Sequence, residues 1–342
     1  MQMDFQAFFL ILATLSLDYL VATASVPALF AFGDSLVDAG DNEHLNTQAR
    51  ANHPPYGIDF ENHQATGRFS NGRLVVDLIA SYLGLPYPPA YYGTKNFQQG
   101  ANFGSTSSGV LPNTHTQGAQ TLPQQVDDFQ SMASQLQQQL GSNESSSLVS
   151  QSIFYICIGN NDVNDEFEQR KNLSTDFLQS VLDGVMEQMH RLYEMGARKF
   201  VVVGLSAVGC IPLNVQRDGS CAPVAQAAAS SYNTMLRSAL DEMSSTHQGI
   251  HIVLTNFYDL MVDTNTNPQQ FGFEESTRAC CEMGSRVLNC NDGVNICPDR
   301  SKYAFWDGVH QTEAFNKIAA ARWWNGTSSD VHPFSISELA AL

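Results

Sequence analysis

Basic residues are scarce in this chain. Its 17 Lys and Arg stand against 34 Asp and Glu across 342 residues, a formal net charge of -17. A surface of that sign repels phosphate backbones and anionic bilayers, so nucleic acid is not expected as a partner. Long apolar runs are missing too. The stretch Phe8-Phe9-Leu10-Ile11-Leu12-Ala13-Thr14-Leu15 is interrupted at Asp18, short of the roughly 20 apolar residues a membrane helix needs, and no stable membrane span is expected. Neither a low-complexity linker nor a repeat divides the chain, which favours one domain over residues 25–342. Also absent are G-x-S-x-G, H-E-x-x-H, G-x-G-x-x-G and a phosphate loop. With them go the signatures of α/β-hydrolase elbows, zincins, dinucleotide binders and P-loop enzymes.

What the first residues do carry is a leader pattern. The apolar stretch reaches Ala22-Thr23-Ala24, an A-x-A of the kind that precedes cleavage, so residues 1–24 read as a secretory signal peptide. Asp4 stands in an n-region that usually holds Lys or Arg. Of seven cysteines, Cys157 sits alone in the apolar run Ile153-Phe154-Tyr155-Ile156-Cys157-Ile158 and reads as a small buried thiol. Cys210 and Cys221 bracket a short loop, and Cys280, Cys281, Cys290 and Cys297 crowd a stretch with little apolar period. All six are disulfide candidates, and the last four allow three pairings. Zinc is the competing reading of those four, but the spacing lacks two separated C-x-x-C pairs. Asn143-Glu144-Ser145, Asn172-Leu173-Ser174 and Asn325-Gly326-Thr327 are glycosylation acceptors by pattern. Leader, cysteines and acceptors together point to a secreted, extracellular protein.

Beyond the leader, short apolar runs alternate with stretches of helical period, which is how βαβ units and a parallel sheet are written in sequence. Strands are expected at Ala28 to Gly33, Gln99 to Phe103, Ser152 to Gly159, Lys199 to Gly204 and Ile250 to Thr255. Helices are expected at Leu74 to Leu83, Phe177 to Leu192, Ala222 to Ser244 and Glu313 to Trp323. Gln124-Gln125 reads as a solvated helix face and Ser145-Ser146-Ser147 as a loop. Two connections, Asp38 to Ser70 and Asn265 to Phe305, are longer than structural loops usually are and are expected to wall a substrate site.

Chemistry enters at the ends of these strands, where reactive groups collect in open α/β sheets. Phe32-Gly33-Asp34-Ser35-Leu36 closes the first strand, and Trp306-Asp307-Gly308-Val309-His310 lies near the far end of the chain. A serine hydroxyl needs an imidazole to take its proton and a carboxylate to orient that imidazole, and the second segment holds both. Glycine before Asp34-Ser35 relieves crowding in a sharp turn. An acyl-transfer intermediate also needs donors aimed at its oxyanion; the Asn161 amide and the backbone N–H groups of Ser35 and of the loop after Phe103 are the candidates. Asp34 and Asp162 read as acceptors that order loops. Taken alone, Ser35 would suit a helix N-cap equally well.

These segments, with Pro54-Pro55-Tyr56-Gly57-Ile58-Asp59-Phe60, Thr66-Gly67-Arg68-Phe69-Ser70-Asn71-Gly72-Arg73 and Gly159-Asn160-Asn161-Asp162, occur in the order of a known family. From about Leu29 to Trp324 the chain resembles the plant-type GDSL esterases/lipases of the SGNH hydrolase superfamily. The resemblance implies an α/β fold of three-layer α/β/α, flavodoxin-like build with a central, mostly parallel sheet of about five strands. It implies Ser35 as nucleophile, His310 as general base and then acid, Asp307 as orienting carboxylate, and Asn161 as oxyanion donor. No metal and no organic cofactor is implied. Two positions depart from the family. Ser107 stands where a glycine usually gives an oxyanion N–H, with Thr106 as the neighbour a one-residue shift would choose. Gln311 replaces the proline that commonly follows the histidine; that proline is not chemical, so the base is expected to work, and the change bears on loop rigidity alone.

The function expected is a secreted serine esterase of the apoplast or cell wall, acting on small-molecule, lipid or cell-wall esters through an acyl-enzyme. An acyltransferase would use the same residues. A secreted binding glycoprotein would have no use for the set Ser35, Asn161, Asp307 and His310. No segment reads as a lid-like amphipathic helix, and acyl length stays open.

Overall fold

A computed structural model of the chain describes residues 26–114, 118–170, 173–281, 290–291 and 293–342. In chain order the elements are β1 (Leu29–Gly33), α1 (Val75–Tyr82), β2 (Gly100–Asn102), α2 (Leu122–Leu140), α3 (Ser142–Gln151), β3 (Ile153–Cys157), α4 (Asn160–Arg170), α5 (Thr175–Glu194), β4 (Lys199–Val203), α6 (Pro223–Thr246), β5 (His251–Thr255), α7 (Phe257–Thr266), β6 (Glu275–Ala279), β7 (Tyr303–Phe305), α8 (Glu313–Asn325), β8 (Val331–His332) and α9 (Ile336–Ala341). The main sheet has the order β2-β1-β3-β4-β5-β8. Its first five strands are parallel, as the sequence pattern requires. The sixth, β8, pairs antiparallel with β5; at two residues it is too short for any pattern to announce. A separate parallel pair joins β6 to β7.

Central strands of a parallel sheet are covered on both faces, so they are apolar throughout rather than alternating. β1 (Leu-Phe-Ala-Phe-Gly) and β3 (Ile-Phe-Tyr-Ile-Cys) are buried along their whole length. Successive side chains point to opposite faces. Phe30, Phe32, Phe154, Ile156, Phe200 and Val202 pack with α2, α5 and α6. Leu29, Ala31, Ile153, Tyr155, Val201 and Val253 pack with α1, α7, α8 and α9. Three layers result. The first core is aromatic beneath the end of β1, where Phe32 stacks on Phe103 at 4.9 Å and meets Phe129 edge-on at 5.9 Å. Such a cluster resists deformation, since emptying one phenylalanine site costs about 3–5 kcal/mol.

Several local expectations change. Gln124 is exposed, as a solvated face requires, but Gln125 is fully buried. It belongs to the apolar stripe of α2 formed by Leu122, Val126, Phe129, Met132 and Leu136. Ser145 to Ser147 lie inside α3 rather than in a loop. Helices α3, α4, α7 and α9 carry too few periodic apolar residues, or too few residues at all, to stand out in sequence. The six candidate cysteines form Cys210–Cys221, Cys280–Cys297 and Cys281–Cys290, and Cys157 is free and buried. Asn143 and Asn325 are exposed, while Asn172 and the leader over residues 1–24 lie outside the described residues. Among the described residues, no helix is long and apolar enough to cross a membrane.

Candidate active site

Gly33 ends β1 at φ 155°, and a Cβ there would run into the carbonyl oxygen of Cys157. Glycine is required at this point. Gln125 grips the same residue from α2: its Oε1 accepts from Gly33 N at 2.9 Å and its Nε2 donates to Gly33 O at 2.8 Å. Past the glycine the chain turns at once, with Asp34 Oδ1 accepting Leu36 N, and Asp34 O accepting Val37 N and Asp38 N. Ser35 is held at this turn and is 7% exposed.

Its partner comes from the other end of the chain. His310 Nε2 lies 2.8 Å from Ser35 Oγ. His310 Nδ1 lies 2.9 and 2.8 Å from the two carboxylate oxygens of Asp307. An ionised carboxylate only accepts, which assigns the ring proton to Nδ1 and leaves Nε2 to accept from the serine hydroxyl. The loop between acid and base closes on itself: Asp307 Oδ1 also accepts Val309 N and His310 N, and Trp306 N donates to His310 O. Ser70 Oγ donates to Gln311 O at 3.0 Å, and Gln311 is buried. Gln311, which stands where a proline is common, is thus tied into the loop by its backbone carbonyl.

Around the serine, the loop after β2 is fixed by buried carboxylates. Asp38 Oδ2 accepts from Thr106 N and Thr106 Oγ1, and Ser105 N donates to Gly33 O. Ser107 adopts φ 68°, the left-handed region that glycine favours. From α4, Asn161 Nδ2 donates to Ser108 O at 2.8 Å; one of its two amide protons is engaged there. Asp162 accepts from Val110 N, Leu111 N and Thr114 Oγ1. Burial pushes the carboxyls of Asp38 and Asp162 above their ordinary range despite these bonds. Asp34, whose Oδ2 has no partner among the described residues, is pushed by burial up to about 7, against the lowering pull of Leu36 N–H and His310.

Ser35, His310, Ser107 and Asn161 open onto one cleft of about 420 Å³. Val208, Ile211, Leu213 and Val309 make its lining apolar, and Asn164 and Glu168 of α4 make it polar. Of the two long connections, the first contributes Gln48, Ala49 and Phe69 to the cleft. The second does not line it among the described residues. Its cysteines pack behind Asp307 instead, with Tyr56, Phe69 and Trp306. No cluster of three or more His, Cys, Asp or Glu arranged for a metal ion occurs among the described residues.

Two participants escaped the sequence reading. Gln125 was betrayed only by its spacing, three residues after Leu122 and four before Phe129 on the buried stripe. Tyr56, which is 2% exposed, donates from its hydroxyl to Asp307 Oδ2 at 3.0 Å. A tyrosine buried in a loop implies a partner for its hydroxyl, but not which one. As assembled, the site can pass a proton from Ser35 Oγ to His310 Nε2 while Asp307 steadies the imidazolium.

A family model described as GDSL-like lipase/acylhydrolase matches residues 29–323. One GDSL esterase/lipase of Arabidopsis thaliana is 36% identical over 342 residues, covering 94% of this chain and 89% of the relative. A second from the same plant is 38% identical over 340 residues, covering 94% and 93%. Among solved structures, a catalytic mutant of an acetylxylan esterase from Geobacillus stearothermophilus aligns with 87% of this chain and 92% of its own at 12% identity and a TM-score of 0.40. Since the matched span runs from the strand that leads into Ser35 to the helix that follows His310, the chain belongs to the GDSL-like lipase/acylhydrolase family.

Proposed function

We propose that this protein is a secreted serine esterase that hydrolyses carboxylic esters through an acyl-enzyme. The observation that carries the reading is the unbroken line from Ser35 Oγ to His310 Nε2 at 2.8 Å and on to Asp307. Ser35 Oγ attacks the ester carbonyl as its proton moves to His310 Nε2. The oxyanion rests against the Asn161 amide and the N–H groups of Ser35 and Ser107. His310 then protonates the leaving alcohol as the C–O bond breaks. Water, activated by the same imidazole, attacks the acyl-enzyme and frees the acid. Family membership, and the names of the Arabidopsis relatives, favour ester substrates; the cleft's volume and mixed lining suit a small or partly inserted ester. Three disulfides favour an oxidising, extracellular setting. With them go removal of residues 1–24, one domain over 25–342, glycan attachment at Asn143, Asn172 and Asn325, and residence in the apoplast or cell wall.

The test is hydrolysis of p-nitrophenyl esters from acetate to palmitate by wild type and Ser35→Ala purified from a secretory host. Wild-type turnover that Ser35→Ala lacks is the expected result. Equal turnover in both removes Ser35 as nucleophile. Transfer to an added alcohol in excess of free acid assigns the second step to an acceptor other than water.

A further inference from the structure

Asp307 is held from a side that the serine chemistry does not itself require. Besides the donors of its own loop, its Oδ2 receives the Tyr56 hydroxyl at 3.0 Å. That hydroxyl is itself an acceptor, taking Cys290 N–H at 3.0 Å. Cys290 is bonded to Cys281, and Cys281 N donates to Trp306 O at 2.8 Å, one residue before the acid. The path therefore closes: Asp307, Tyr56, Cys290, Cys281, Trp306 and back to Asp307. Every one of these residues is buried. The Tyr56 ring is wedged against Phe69 at 5.3 Å and Trp306 at 6.5 Å, so its hydroxyl has one place to point.

We propose that Tyr56 is a positioning residue for the Asp307–His310 pair, and that the Cys281–Cys290 disulfide serves the site by holding the N–H that orients the phenol. This rests on the serine esterase reading above. A donor on Oδ2 fixes the plane of the carboxylate and draws off part of its charge. The N–H arriving at the phenol oxygen polarises the O–H and strengthens that donation. Burial, and next the neighbouring Asp307 charge, push the Tyr56 hydroxyl well up from its ordinary range, so it stays a neutral donor wherever the enzyme works. With the phenol oxygen gone, Oδ2 returns its whole charge to the imidazole and imidazolium is favoured. Among the described residues, the other titratable groups around this pair are Asp34, whose charge acts on His310, and His53, which packs edge-on against Tyr56 at 5.4 Å. The variants below change neither.

The experiment measures kcat and KM for a p-nitrophenyl ester against pH, with melting temperature as the folding check, for wild type, Tyr56→Phe, Cys281→Ser with Cys290→Ser, and Ser35→Ala as blank. For Tyr56→Phe the expected result is kcat down about tenfold, the size of one hydrogen bond to a charged group. KM stays near wild type, and the acidic limb of the profile moves up by roughly half a pH unit. The double serine variant moves the limb the same way, and adding it to Tyr56→Phe moves the limb no further. An active wild type, a silent Ser35→Ala and an unmoved limb in Tyr56→Phe overturn the proposal alone. Ser35→Ala as active as wild type overturns it together with the serine reading. If Tyr56→Phe does not fold, the limb of the double serine variant decides, and an unmoved limb there overturns it as well.

Discussion

Replacing Gln125 by leucine tests whether the serine turn is held from α2. Leucine keeps the helix and nearly the volume, and it suits the buried stripe on which Gln125 lies. What it removes is specific. Gly33 N loses its acceptor, while Gly33 O keeps Ser105 N as a donor and Ser108 Oγ keeps Gln120 O as its acceptor. One buried backbone N–H is thus left without a partner at a cost of about 1–3 kcal/mol, and the lost bonds from Nε2 add about 1 kcal/mol. The sum is about 2–4 kcal/mol. At roughly 2.1 cal/mol/K per residue for the unfolding entropy, a chain of this size drops about 3–6 °C in melting temperature. On the serine esterase reading, activity falls further than stability, because the N–H set free belongs to the residue two before Ser35. Differential scanning fluorimetry and ester turnover are the assays, with Gln135→Leu on the exposed side of the same helix as control. A Gln125→Leu protein melting within about 1 °C of the control, with wild-type turnover, would refute the argument.

Two further outcomes follow from the site's electrostatics and backbone. Asp34 has an ordinary value of 3.8 that burial raises to about 7. Between those values the unfolded chain has released a proton that the folded chain keeps, so its contribution to stability is lost as pH rises and the loss is complete above 7. Asp34→Asn retains an acceptor for Leu36 N–H, and its unfolding free energy should gain on wild type from pH 4 to pH 8, by up to a few kcal/mol in the limit of about 1.36 kcal/mol per unit of pKa, with the melting temperature rising relative to wild type in step; a constant difference across that range contradicts the cause. At Ser107, glycine relieves about 1 kcal/mol of left-handed backbone strain and returns a similar amount as unfolded-state entropy. Ser107→Gly is expected to match wild type in melting and, within about threefold, in turnover, since the backbone N–H is kept. Abolished turnover would place the role in the hydroxyl instead.

Much of the architecture can be read from composition along the chain, because a strand covered on both faces has to be apolar throughout. Leu29 to Gly33, Ile153 to Cys157 and Lys199 to Val203 stand out for that reason, and so do the stripes of α1, α5 and α6. Ser35, Asp307 and His310 are legible because the chemistry demands those types in a short, ordered pattern. The parts that stayed hidden act through tertiary placement. Gln125 has the composition of a surface residue and the position of a core one. Tyr56 sits in a recognisable block, yet its partner is 251 positions away. The long connection through Cys280 and Cys297 has the length of a cleft wall, but its described residues turn behind the acid, since the sulfurs and Trp306 form a core of their own. Length measures how far a loop can reach, not the direction in which it folds.

Ser35 and His310 are 275 positions apart in the chain. Closing a loop over such a span costs more entropy than closing a short one. On the serine esterase reading, Ser35 is an ordinary alcohol until the segment from Trp306 to His310 packs against the end of β1, because His310 Nε2 is the atom that takes its proton. On that reading turnover reports completed folding, and a chain clipped ahead of that segment is expected to be inert without an inhibitor.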